Sequence, residues 1–209
     1  MQPYIESNTW LQIGINILLG TWADRKANMW DQMYLPDCMK EGFAIAEAES
    51  GKRLLISEKV WFSPDNKTMK SPWGGKSVVY SGLISALLIL LSWWEGKKRT
   101  RFVSIDVVVM TISGLIGCII FFMWFISLHK ATSLNLNLIW AHPLLLLIPI
   151  FIRFKNTQKF VRKFAMINAV IILILFICNV IANFQDISQE GFFFGLAVMA
   201  RLFSISDIP

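Results

Sequence analysis

The sequence predicts an all-α membrane domain of about five transmembrane helices, preceded by a small α+β soluble segment. Three observations carry this expectation. Of 209 residues, 55% are hydrophobic and only 16% charged, against roughly 25% charged in an ordinary soluble domain. The mean hydropathy is positive, at +0.54. Apolar runs recur from Val78 onward, separated by short polar or basic segments.

The net charge of +6 does not point to nucleic acid. Lys plus Arg and Asp plus Glu cancel between Met1 and Ser77, so the whole excess lies in the membrane half. There it gathers around Lys97–Arg101 and Arg153–Lys163, beside hydrophobic helices, where topology signals sit.

Two parts follow, 1–77 soluble and 78–209 membrane-embedded. In the first, Asn8-Thr9 is a cap for a helix that buries Trp10, Leu11, Ile13, Gly14, Ile17 and Leu18, with Gly20 ending it. Pro36 suits the first turn of a second helix carrying Met39, Phe43 and Ala46 on one face. Leu54 to Phe62 reads as a strand closed by the turn Ser63-Pro64-Asp65-Asn66. So small a segment buries too little to be stable alone and is expected to pack on something larger.

In the second part, Val78 to Trp94 is uncharged and mostly apolar, and at 1.5 Å per residue nearly crosses a hydrocarbon core about 30 Å thick. The second helix is expected over 102–128, interrupted by Asp106 alone. The third spans 138–154, with Pro143 in its first turn and Pro149 kinking it. The fourth, 164–182, is the clearest, and the fifth, 191–204, is short enough to lie in the interface instead. Small residues four apart, such as Ser81 and Ser85, Ser113 and Gly117, or Gly191 and Gly195, permit close helix packing.

Loop charge sets the orientation. The segments after helices one and three are strongly basic, whereas those after helices two and four contain only Lys130 and no base. The basic loops therefore face the cytoplasm, leaving residues 1–77 outside and the C-terminus inside, with Arg201 snorkelling to the inner surface. For a bacterial protein this is the inner membrane with a periplasmic N-terminal segment. Yet Met1-Gln2-Pro3-Tyr4-Ile5-Glu6 has no basic region followed by an apolar core, so either the orientation is reversed or an upstream signal is expected.

Residues able to carry chemistry are few. His129 and His142 lack metal-spaced partners, so no metal or cofactor is implied. Cys118 and Cys178 fall in membrane helices, which argues against a disulfide framework. Cys38 sits beside Asp37, which disfavours a thiolate, and no catalytic role is assigned to it. The stretch Ser127 to Pro143 concentrates His129, Asn135, Asn137, Trp140 and His142 at the outer face. It reads either as an interfacial loop anchored by Trp140, or as a polar docking or substrate surface enlarged by Asn179, Asn183, Gln185, Asp186 and Glu190. Asp106, an ionisable residue within a membrane helix, reads either as a structural partner of Arg101 or Arg99, or as part of a proton or ion path in a transporter.

Two blocks together resemble a known family. Gly20-Thr21-Trp22-Ala23-Asp24-Arg25-Lys26-Ala27, followed by Met33-Tyr34-Leu35-Pro36-Asp37, is similar to the end of the extracytoplasmic domain in Lnb-type bacterial lipoprotein N-acyltransferases. Gly114-Leu115-Ile116-Gly117 with His129, Asn135, Asn137, Leu138, Trp140, Ala141 and Pro143 is similar to their membrane part. The resemblance implies a papain-like periplasmic domain whose cysteine moves an acyl chain from a membrane lipid to a lipoprotein amino terminus. In the family that cysteine lies upstream of the block at Asp24, so the expectation is a C-terminal portion working with an upstream catalytic domain. Membrane lipids and lipoproteins are the implied partners. The alternative is a non-enzymatic membrane scaffold or partner subunit.

Overall fold

The computed structural model describes residues 9–21, 36–47, 51–53, 55, 57, 59, 77–128, 130–182, 184–185 and 187–207. Seven α-helices occur among them: α1 Thr9–Leu18, α2 Pro36–Ile45, α3 Ser77–Lys98, α4 Val103–Phe125, α5 Leu147–Phe151, α6 Gln158–Ala182 and α7 Gln189–Ser206. The chain divides into two compact units. One comprises Met1–Asp24 with Lys70–Pro209, the other Arg25–Met69.

In the smaller unit Pro36 opens α2, as its fixed φ favours. Met39 and Phe43 were expected on a packed face but are exposed, whereas Gly42 is buried. No strand occurs among the described residues. An isolated antiparallel bridge joins Glu47 and Arg53, and positions 55, 57 and 59 carry no strand, so the α+β expectation is not met there. The Ser63–Asn66 turn lies outside the described residues.

The larger unit takes in α1, which the sequence reading grouped with the soluble part. Ile13 and Ile17 of α1 are buried in the same core as Trp140, Leu145 and Val198, and Leu18 packs against it. Trp10 and Leu11, expected inside, are exposed. One side of a ten-residue helix cannot hold all six positions, and the 3.6-residue period carries Ile13 and Ile17 inward together.

Among the described residues three helices, not the five expected, are long and apolar enough to cross a membrane: α3, α4 and Lys155–Ala182, which contains α6. At 1.5 Å per residue, the 22 residues of α3 extend about 33 Å. The third expected span, 138–154, is not one helix. It runs as short 3₁₀ turns at Leu136–Ile139 and Pro143–Leu146, followed by the five residues of α5. Pro143 holds His142 in extended backbone, φ −109° and ψ 151°, and removes a helical donor, while Pro149 removes another. The carbonyls freed at its end are recovered by side chains. Thr157 Oγ1 donates to Phe151 O at 2.6 Å, and the Gln158 amide donates to Ile152 O.

The fifth segment, expected to be the least secure, is the centre of the bundle. α7 packs chiefly against α3 and α6, and also touches α4 and α1. Glu190, Gly191, Gly195, Ala197, Val198, Arg201, Leu202 and Ile205 are its buried positions. Small residues on its inner side admit close neighbours: a Cβ at Gly195 would lie 3.2 Å from Trp140 Cδ1 and collide with the Phe176 ring. On α4, a Cβ at Gly117 would fall 2.7 Å from both the Ala141 and His142 carbonyl carbons. The irregular segment can therefore lie directly on α4 only because that position is glycine.

Candidate functional site

Two buried polar clusters lie at opposite ends of α3. The first surrounds the C-terminal end of α1. Helix ends leave carbonyls without intrahelical donors, and here side-chain amides supply them. The Asn135 and Asn137 amides donate to Ile17 O at 2.8 and 3.0 Å. Gln185 Nε2 donates to Leu19 O at 3.4 Å, while its Oε1 accepts the Leu136 N–H at 2.6 Å.

These amides are themselves held. Asn135 Oδ1 accepts Asn137 N–H at 2.9 Å, and Asn137 Oδ1 accepts the Trp140 indole N–H at 3.0 Å. Asn179 and the Gln185 backbone exchange two hydrogen bonds at 3.0 Å. Gly20 then enters the seat, its N–H donating to Ala131 O at 3.0 Å. A Cβ there would lie 2.9 Å from the Ser133 carbonyl carbon, so glycine is required by the approach. Beside it, buried Glu190 accepts from Ser77 Oγ at 2.6 Å and Asn16 Nδ2 at 3.3 Å, joining α1, α3 and α7.

Asn135, Asn137 and Trp140 were expected at an open polar surface or in an interfacial loop anchored by Trp140. All three are buried, and they form an internal seat for α1. The indole of Trp140 is inside because Asn137 gives its N–H a buried acceptor. His142 is partly buried and its Nδ1 has no hydrogen-bond partner among the described residues. His129, Asp24, Leu35, Asn183 and Asp186 lie outside the described residues, as does the side chain of Pro36.

The second cluster is ionic. Arg201 on α7 places Nη1 2.6 Å from Glu95 Oε2 on α3, and Nε 3.0 Å from Asp106 Oδ1 on α4, with Nη2 also on Asp106. Arg101 Nε lies 2.8 Å from Asp106 Oδ2. Glu95 further accepts the Phe102 N–H at 2.8 Å and Ser204 Oγ–H at 3.1 Å. The four charges sum to zero, which is the condition for burying them together.

Asp106 is therefore paired with Arg101, as one reading foresaw, but its second partner is Arg201. That arginine, expected to snorkel outward, is fully buried. Glu95 went unassigned in the sequence. The available signal was an acid closing an apolar run and a base inside another, each needing an opposite charge. Among the described residues no group of His, Cys, Asp and Glu has metal-binding geometry.

A polytopic helical bundle, closed by a buried ionic bridge at one end and an amide seat at the other, defines this chain as the membrane domain of an integral membrane protein. More particularly, the family model for the Lnb transmembrane domain matches residues 71–208, and the chain belongs to that family. No curated protein and no solved structure matches the chain.

Proposed function

We propose that this chain is the membrane portion of an Lnb-type lipoprotein N-acyltransferase. In this reading a cysteine-bearing periplasmic domain outside these residues transfers an acyl chain from a membrane lipid to a lipoprotein amino terminus. The observation that carries the reading is the family match over 71–208, and the amide seat supports a role for the bundle beyond anchoring. The backbone at Ile17, Leu19 and Gly20 is held by Asn135, Asn137, Gln185 and Ala131 of the bundle. The C-terminal end of α1 is thus held at a fixed point of the bundle rather than left loose.

In the proposed orientation the seat lies on the periplasmic side of the inner membrane and the basic loops on the cytoplasmic side. The test is mass spectrometry of lipoprotein amino termini in cells that depend on the complete protein. Replacing 78–209 by an unrelated single-span anchor should abolish N-acylation while the soluble part remains membrane-bound. Undiminished acylation would reduce the bundle to an anchor.

A further inference from the structure

At the end of α3 away from the amide seat, a cleft of about 1100 Å³ opens between α3 and α7, with Met166 of α6 in its wall. Its lining is of mixed chemistry. Ile89, Trp93, Met166 and Phe203 are apolar, Lys97, Arg99 and Asp207 are charged, and Ser92, Thr100 and Ser204 carry hydroxyls. We propose that this cleft holds the headgroup and first acyl carbons of a zwitterionic aminophospholipid drawn from the surrounding bilayer.

The depth argues for a lipid. Lys97 Nζ sits 5.4 Å over the Trp93 ring, a pairing of aromatic face and cation that belongs at the headgroup level of a membrane. Trp93, Ile89 and Met166 are exposed. A soluble phosphate ester would satisfy the polar groups of the cleft and leave its apolar side chains uncovered.

The arrangement of charge argues for a zwitterion. Lys97 and Arg99 suit a phosphate. The same rim carries Asp207, which caps the C-terminus of α7, and α3 also ends here, at Lys98. Two helix C-termini and a carboxylate attract a cation and repel a second negative charge. Glu95 at the back of the cleft is already occupied by Arg201, Ser204 and the Phe102 N–H, so the ammonium is assigned to Asp207. A primary ammonium can donate hydrogen bonds to that carboxylate, which a quaternary choline cannot.

The test uses the full chain, delipidated in detergent and examined by native mass spectrometry with phosphatidylethanolamine, phosphatidylcholine or phosphatidylglycerol added singly. Phosphatidylethanolamine should be retained about tenfold better than the other two, which is about 1.4 kcal/mol. Lys97→Gln with Arg99→Gln should lower retention of phosphatidylethanolamine. Asp207→Asn should remove its advantage over phosphatidylcholine, and Lys97→Arg should keep it. All these side chains are exposed, and unchanged circular dichroism of the variants shows that folding is not what was lost. Equal retention of all three lipids would overturn the proposal, as would an Asp207→Asn variant that keeps the preference. Complete displacement by soluble phosphorylethanolamine would overturn the lipid assignment. None of these outcomes depends on acyl transfer, so the cleft and the proposed enzyme function stand or fall separately.

Discussion

Arg201 reaches Asp106 from another helix, Nε to Oδ1 at 3.0 Å, with both side chains out of contact with solvent. The same guanidinium is 2.6 Å from Glu95, so one side chain ties three helices. A planar fork with five donors can serve two carboxylates at once, which an ammonium does less well.

Removing that arginine should leave the buried Glu95 without a counter-charge, beside an Asp106 held by Arg101 alone. Arg201→Met is expected to destabilise the bundle by about 3–5 kcal/mol, read as a lowered thermal midpoint in detergent. Arg201→Lys should fall between it and the wild type. The double change Glu95→Gln, Arg201→Met should recover much of the loss, because the Asp106–Arg101 pair that remains is neutral. A double variant no more stable than Arg201→Met would show that charge balance is not what the bridge supplies.

The amide seat makes a local prediction. Asn137→Leu removes one of two donors to Ile17 O and the acceptor for Trp140, a loss of about 1–3 kcal/mol for the buried indole N–H left unsatisfied. Hydrogen exchange at residues 9–21 should accelerate more than exchange within α4 or α6. Uniform acceleration would mean that the seat is part of the global core and does not hold α1 selectively.

Gly117 separates packing from helix propensity. Alanine is the better helix former, yet its Cβ would meet the Ala141 and His142 backbone. Gly117→Ala should therefore destabilise by about 1–3 kcal/mol, the range for overpacking, whereas Gly96→Ala, with nothing within 4 Å of its Cβ, should be neutral or stabilising. Thermal unfolding of the two variants side by side tells them apart.

Orientation is open to labelling. In a background with Cys38, Cys118 and Cys178 changed to serine, Asn66→Cys should react with an impermeant maleimide from the periplasmic side. Reaction only after the inner membrane is permeabilised would reverse the topology.

Much of this was legible in the chain itself. The apolar spans at α3, α4 and α6 and the limits of α3, α4 and α7 within a few residues follow from hydropathy, which is a property of each segment alone. The family resemblance lay in residues such as Gly117, Asn135, Asn137 and Trp140, and the match over 71–208 agrees with it. Asp106 could be singled out for the same reason, since a lone acid in an apolar helix is costly wherever it points.

What tertiary structure decided was which polar groups face one another. Asn135, Asn137 and Trp140 have the composition of a surface loop, and only the arrival of α1 from more than a hundred residues upstream makes them a buried seat. Arg201 has the position of a snorkelling residue until α3 and α4 bring Glu95 and Asp106 to it. Hydropathy is summed along the chain, so it set where this protein enters the membrane. Hydrogen bonds and ion pairs form between segments distant in sequence, so the fold alone set which of its polar residues are exposed.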